Sequence, residues 1–254
     1  MITFAEIWNL GIYEPLFNVL IFFYRLCGNN IGLAVIGVTL FIKVLTYPLQ
    51  KPSIEFSRKQ KELKPQLDEL KKKYKDKQVF AQKQMELYKE NGMNPALGCL
   101  PQLISVVFVF IPLYRIFSSF LGHQLDNAAM NEMLYNWDYL RFQSNEVINT
   151  MFLGVDFAQK NYILAGLSAL SQYFLSKIMM PQAKKMEEVA KDTPDKSDDI
   201  MYNMQEQMVY TMPILTFIIG IGLPSGLSWY WLVSTLATAL QYKISNKKQE
   251  IKNG

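Results

Sequence analysis

Thr39, Lys43, Thr46 and Gln50 fall at i, i+4, i+7 and i+11, the spacing that aligns four polar side chains on one face of a helix. Ile36, Leu40, Val44 and Tyr47 occupy another face of the same run. Residues 31–49 are otherwise apolar and long enough to cross a bilayer, which needs about 20 helical residues. Lys43 lies roughly 10 Å inside the boundary marked by Gln50 and Lys51, and an ammonium at that depth requires water or a partner. Two readings follow. Lys43 stretches its stem to the headgroups, or the polar stripe lines a hydrated cavity whose amine attracts acidic groups.

Similar polar faces recur. Gln102 and Ser105 are three apart; Ser168, Ser171 and Gln172 share a face; Trp231, Ser234, Thr238 and Gln241 follow i, i+3, i+7, i+10. Taken singly, such hydroxyls and amides act as interhelical glue. Four faces around one cation point instead to a shared hydrophilic groove containing Lys43, Thr39, Thr46, Gln102, Ser105, Ser168, Gln172, Ser234 and Thr238, with Tyr230 and Trp231 offering an amphipathic wall. The groove is one of attraction and hydration, not of bond breaking. His123 is the lone histidine, Cys27 and Cys99 fall at opposite ends of spans, and there is no GxSxG motif, metal-spaced ligand cluster or phosphate-binding glycine loop. The chain is expected not to be an enzyme and to carry no cofactor.

Half of the 254 residues are hydrophobic and 19% are charged, with the charges in blocks. This predicts an all-α integral membrane protein of five transmembrane helices, with a cytoplasmic helical hairpin and an N-terminal interfacial helix. The expected segments are an interfacial segment at 1–30, a first span at 31–50, the hairpin at 51–96, a second span at 97–121 and an extracytoplasmic loop at 122–161. A third span at 162–180, a cytoplasmic loop at 181–207, a fourth span at 208–223, a fifth at 227–242 and a basic cytoplasmic tail at 243–254 complete it. Pro224-Ser225-Gly226 leaves room only for a tight turn between the last two spans. Residues 16–26 are apolar but about half the spanning length, hence the interfacial reading. No Lys or Arg precedes Arg25, so a cleaved signal peptide is not expected.

Basic residues orient the spans. Residues 51–98 carry twelve Lys and Arg against seven acids, whereas 122–161 has only Arg141 and Lys160. Lys184, Lys185, Lys191 and Lys196 mark the next loop, and Lys243, Lys247, Lys248 and Lys252 the tail. Five spans bring all three basic segments to one side, predicting a multi-pass protein with the amino terminus outside and the carboxyl terminus cytoplasmic. In the hairpin, Leu63, Leu67, Leu70 and Tyr74 form one apolar stripe and Phe80, Gln84, Leu87 and Tyr88 a thinner one. Pro65 predicts a joint near Lys64, and Asn91-Gly92 a helix end. The length of this basic arm suits ribosomal RNA, anionic lipid or an acidic partner.

The stretch Asn91-Gly92-Met93-Asn94-Pro95-Ala96-Leu97-Gly98-Cys99-Leu100-Pro101 resembles the NPxxGCLP signature of the YidC family of membrane-protein insertases. Leu223-Pro224-Ser225-Gly226-Leu227-Ser228-Trp229-Tyr230-Trp231 is similar to that family's PxGLxxYW turn. Tyr13-Glu14-Pro15-Leu16-Phe17-Asn18 and Tyr47-Pro48-Leu49 extend the resemblance over nearly the whole chain. The resemblance implies a five-span core in the bacterial cytoplasmic membrane, with a groove open to cytoplasm and lipid but closed to the outside. It implies a positive residue in the first span that attracts the polar segment of a substrate. Most members use arginine there; this chain has Lys43, a compact ammonium in place of a planar fork. The large periplasmic domain and lipobox-like signal of some members are not expected.

The function so implied is insertion and folding of nascent membrane proteins, with membrane lipid, the Sec translocon and the ribosome as candidate partners and no role for DNA. The rival reading is a small-solute or ion transporter using Lys43, although no second half resembles the first as in inverted-repeat transporters. A structural assembly factor is the third.

Overall fold

The computed structural model describes residues 3–74, 76–94, 104–120, 126–144, 146–179 and 199–253. They are mostly helical. Helix α1 (Phe4–Trp8) continues through a wide turn at Asn9–Tyr13 into α2 (Glu14–Leu26), and α3 (Ile31–Leu45) returns alongside it. Then come α4 (Tyr47–Glu62), α5 (Lys64–Lys73) and α6 (Lys77–Glu90). Helix α7 (Ile111–Arg115) lies between wide turns at Val106–Phe110 and Ile116–Phe120, followed by α8 (Asn127–Met133) and a two-stranded hairpin, β1 (Met151–Phe152) and β2 (Val155–Asp156). Helices α9 (Tyr162–Met179), α10 (Asp199–Gly222) and α11 (Ser225–Asn253) complete the chain.

The helices form a row in which α9 packs on both α10 and α11, α11 on α3, and α3 on α2. Small residues let them approach. Ala165, Ser168 and Ser228 are buried where α9, α10 and α11 meet, and a Cβ added to Gly220 would lie 3.1 Å from that of Ala165. Such seams stand in for the hydrophobic drive that helices lack in lipid.

Helix α2 supplies Phe17, Leu20, Ile21 and Tyr24, all at most 1% exposed, to the core it shares with α3 and α7. Helix α2, expected to lie in the interface, packs against α3 through this face. Asn18 ties it to the segment after α8, donating to Met133 O at 2.9 Å and accepting from Tyr135 N at 2.7 Å. Arg25 pairs with Glu146, its second nitrogen reaching Glu146 Oε2 at 2.9 Å and Arg141 O at 2.8 Å.

Prolines place the irregularities. The wide turns at Asn9–Tyr13 and Val106–Phe110 each end shortly before a proline, Pro15 or Pro112, whose nitrogen cannot donate into the preceding turn. The first apolar run also breaks: α3 stops at Leu45, and α4 departs at 73°. Pro48 lacks the N–H that a continuous helix would need, and Thr46 Oγ1 donates to Ile42 O at 2.7 Å. The run expected as the first span at 31–50 therefore divides at Thr46 into a bent pair. Among the described residues no single helix is long and apolar enough to cross a membrane; α3 and α4 pass that test together.

The basic arm continues from the end of α4 into two further helices, α5 and α6. Leu63 separates α4 from α5 at the Pro65 joint, and α6 ends before Gly92, whose φ of 63° suits glycine. Leu63, Leu67, Tyr88 and Met93 make a small satellite core.

Candidate functional site

Lys43 leaves the last turn of α3 half-buried and crosses to α11, donating from Nζ to Thr238 Oγ1 at 2.8 Å. The Thr238 hydroxyl donates in turn to Ser234 O at 2.8 Å, which leaves its lone pairs for the amine. Gln241, one turn further along α11, donates to the Lys43 carbonyl at 3.2 Å. The cation is therefore held by a hydroxyl; among the described residues no carboxylate is recorded within ion-pair distance of it.

Beside this bridge lies a cavity of about 40 Å³ lined by Thr39, Lys43, Thr46, Gln50, Ser105 and Tyr230 on its polar side. Ile42, Leu49, Ile104, Phe108 and Val109 form the apolar side. Most of its surface is apolar, with the polar groups confined to one side. Thr39 and Thr46 each satisfy a carbonyl one turn back on α3, at 2.6 and 2.7 Å, and Gln50 Nε2 donates to Thr46 Oγ1 at 2.7 Å. Ser105 Oγ and Tyr230 Oη lie 3.3 Å apart, joining the segment before α7 to α11.

Thr238, itself bonded to the Ser234 carbonyl, holds the amine, while Thr39, Thr46, Gln50, Ser105 and Tyr230 line the adjoining cavity with Lys43. The face on α9 does not join them. Ser168 is fully buried and donates to Ala165 O at 2.9 Å, and Ser171 does the same to Ser168 O at 2.7 Å. Gln172 accepts from Thr235 at 3.4 Å between α9 and α11. Trp231 packs edge-on against Phe110, ring centroids 5.3 Å apart, and is not among the lining residues. Gln102 lies outside the described residues, as does most of the proline-containing signature after Asn94. The apolar lining, Ile104 and Phe108 above all, carried no polar spacing by which sequence could single it out.

At the far end of α4, Lys61 Nζ caps the Ile178 carbonyl at 2.8 Å and sits 4.7 Å from the centre of the Tyr242 ring. The basic arm is thereby tied to the end of α9 and to α11 at Tyr242. Among the described residues no cluster of His, Cys, Asp or Glu could hold a metal.

Small-residue seams, proline-bent apolar helices and one hydroxyl-held amine make up a mostly helical protein whose class is that of the inner membrane family it matches. The model of the 60Kd inner membrane protein family matches residues 22–252, and the chain belongs to that family. It is 31% identical over 238 residues to the membrane protein insertase YidC of Pasteurella multocida, covering 93% of this chain and 37% of that protein. With the protein of the same name from Haemophilus ducreyi it shares 33% identity over 239 residues, 92% of this chain and 37% of the relative. The Oceanobacillus iheyensis protein of that name is 28% identical over 246 residues, 95% of this chain and 84% of its own length. The chain thus spans well under half the length of the first two relatives.

Proposed function

We propose that this chain is a membrane-protein insertase, working from the bacterial cytoplasmic membrane with five spans, its amino terminus outside and its basic arm and tail in the cytoplasm. The observation that carries this reading is the Lys43 amine, held by Thr238 beside a cavity with polar side chains along one side. Moving a polar segment across about 30 Å of hydrocarbon is costly. A hydrated recess reaching partway shortens the dry distance, and Lys43 attracts acidic residues of the incoming segment into it. The apolar part then slides into lipid, at about 0.8 kcal/mol per methylene buried. No nucleotide is consumed by the chain itself. Nascent membrane proteins and lipid are its partners, and the basic arm is suited to meet the ribosome or the Sec translocon.

The test is reconstitution into liposomes otherwise free of protein, followed by protease protection of a short-tailed membrane protein made by cell-free translation. Protected tail that depends on the reconstituted chain supports insertion. Tail left fully protease-sensitive, with uptake of a small solute instead, would favour the transporter.

A further inference from the structure

Leu153 and Gly154 form the two-residue loop between β1 and β2, paired Phe152 to Val155. Both have positive φ, 49° and 78°. Such turns favour Asn-Gly, since asparagine tolerates this conformation and leucine is disfavoured in it. Leu153 is nevertheless 80% exposed, so its side chain gains nothing from the protein for the strain it bears. Val147 at 78%, Tyr162 at 68% and Ile163 at 74% are also open, and residues 147–155 contain no charge.

The hairpin is not a loose tip. Phe152 lies over Gly32 at the start of α3 and packs on Phe157 and Trp229. Ser225 and Gly226, opening α11, donate backbone N–H groups to Gln159 O at 2.8 Å and Phe157 O at 3.1 Å. Helix α9 begins six residues after β2. The starts of α3, α9 and α11 therefore gather at the hairpin, at one end of the bundle, where an apolar chain end meets a membrane boundary.

We propose that Leu153 seats in the headgroup–acyl boundary of the lipid leaflet at this end, with Val147, Tyr162 and Ile163 as its neighbours at that level. The inference rests on the membrane reading above. Lipid explains together what water does not: an uncharged stretch, an exposed leucine in a conformation that favours asparagine, and a rigid mount at the ends of three helices. An amphipathic surface of this kind sits shallowly, among headgroups and first methylenes.

The test replaces Cys27 and Cys99 by serine and places single cysteines at Leu153, Ser144 and Leu170, each labelled with the fluorophore NBD. The full chain is reconstituted in phosphatidylethanolamine and phosphatidylglycerol vesicles. Quenching by lipid bearing doxyl at acyl carbon 5 is compared with quenching by iodide. At Leu153 the lipid quencher should win at least threefold, whereas at exposed Ser144 iodide should win. Iodide quenching at Leu153 equal to that at Ser144 would overturn the proposal, as would protection from both quenchers, which means that a protein surface covers the tip. Leu170, half exposed in mid-α9, separates the two readings: lipid quenching there with none at Leu153 rejects the seating alone, and its loss at both rejects the membrane placement too.

Discussion

Lys43 and Thr238 stand 195 positions apart and are joined by a 2.8 Å hydrogen bond, so the charge of α3 is aimed by α11. A lysine that only snorkels would need no such acceptor. Lys43→Arg should preserve insertion of a substrate with an acidic translocated tail, and Lys43→Met should impair it at least fivefold while sparing a neutral-tailed version. Thr238→Val keeps the shape and removes the acceptor, a loss of about 1 kcal/mol or roughly fivefold in the same assay. Equal insertion of both substrates by the Met variant would reject the electrostatic role.

Topology is read with single cysteines in a cysteine-free background. Gln66 on α5 and Asn136 after α8 are both exposed, which makes them matched probes. In intact cells a membrane-impermeant maleimide should label Asn136→Cys and leave Gln66→Cys untouched until the membrane is opened. Labelling of Gln66→Cys from outside would invert the proposed orientation.

Gly32 meets two partners at once: its carbonyl accepts from Trp229 Nε1 at 3.1 Å, and a Cβ there would collide with the Phe152 ring. Gly32→Val should destabilise the protein by about 1 to 3 kcal/mol through overpacking. A melting temperature in detergent lowered by several degrees is the expected reading, and an unchanged one would show that the hairpin swings away freely.

The Arg25 hydrogen bonds hold the Glu146 carboxyl below the usual glutamate value of about 4.3. A lowered folded-state value means that the pair stabilises fully above about pH 4.3, and that this contribution fades as pH falls through the lower value in the native protein. Comparing Glu146→Gln with the parent, the melting-temperature gap should be widest near neutrality and shrink as pH falls below about 4.3. A constant gap from pH 7 to 3.5 would assign Glu146 a purely steric role.

The basic arm rests on a satellite core of four buried apolar residues and the Lys61 cap on Ile178. Amide exchange in α5 and α6 should accordingly run faster than in α9, measured by mass spectrometry in nanodiscs. Comparable protection would show that the arm is docked as firmly as the bundle.

Much of this was legible because it depends on local chemistry. Pro65 and Gly92 mark the ends of α4 and α6 through a missing N–H and a positive φ, and the i, i+4, i+7 stripe on α3 needs only helical periodicity. The break at Thr46 was signalled by Pro48, but hydropathy, which sums over residues 31–49, hides a proline that starts a new helix. Burial of α2 was not readable from its length, since Phe17 and Tyr24 are covered by segments distant in sequence. Ser168 shows the same limit from the other side: its polar spacing matched the groove, yet it serves the seam where Ala165 meets Gly220.

Between the cavity and the β-hairpin end, α3 and α7 interpose Ile31, Val35, Val38, Leu113 and Ile116, all fully buried in one apolar cluster. In the proposed insertase this makes the recess a blind alley. A continuous file of water would let protons and small ions run down the membrane potential, which is worth about 2.3 kcal/mol per charge at 100 mV. A dry plug several residues thick would interrupt that wire. In the insertase proposed above, such a plug would let many copies stand open at one mouth without short-circuiting a membrane that stores energy as voltage.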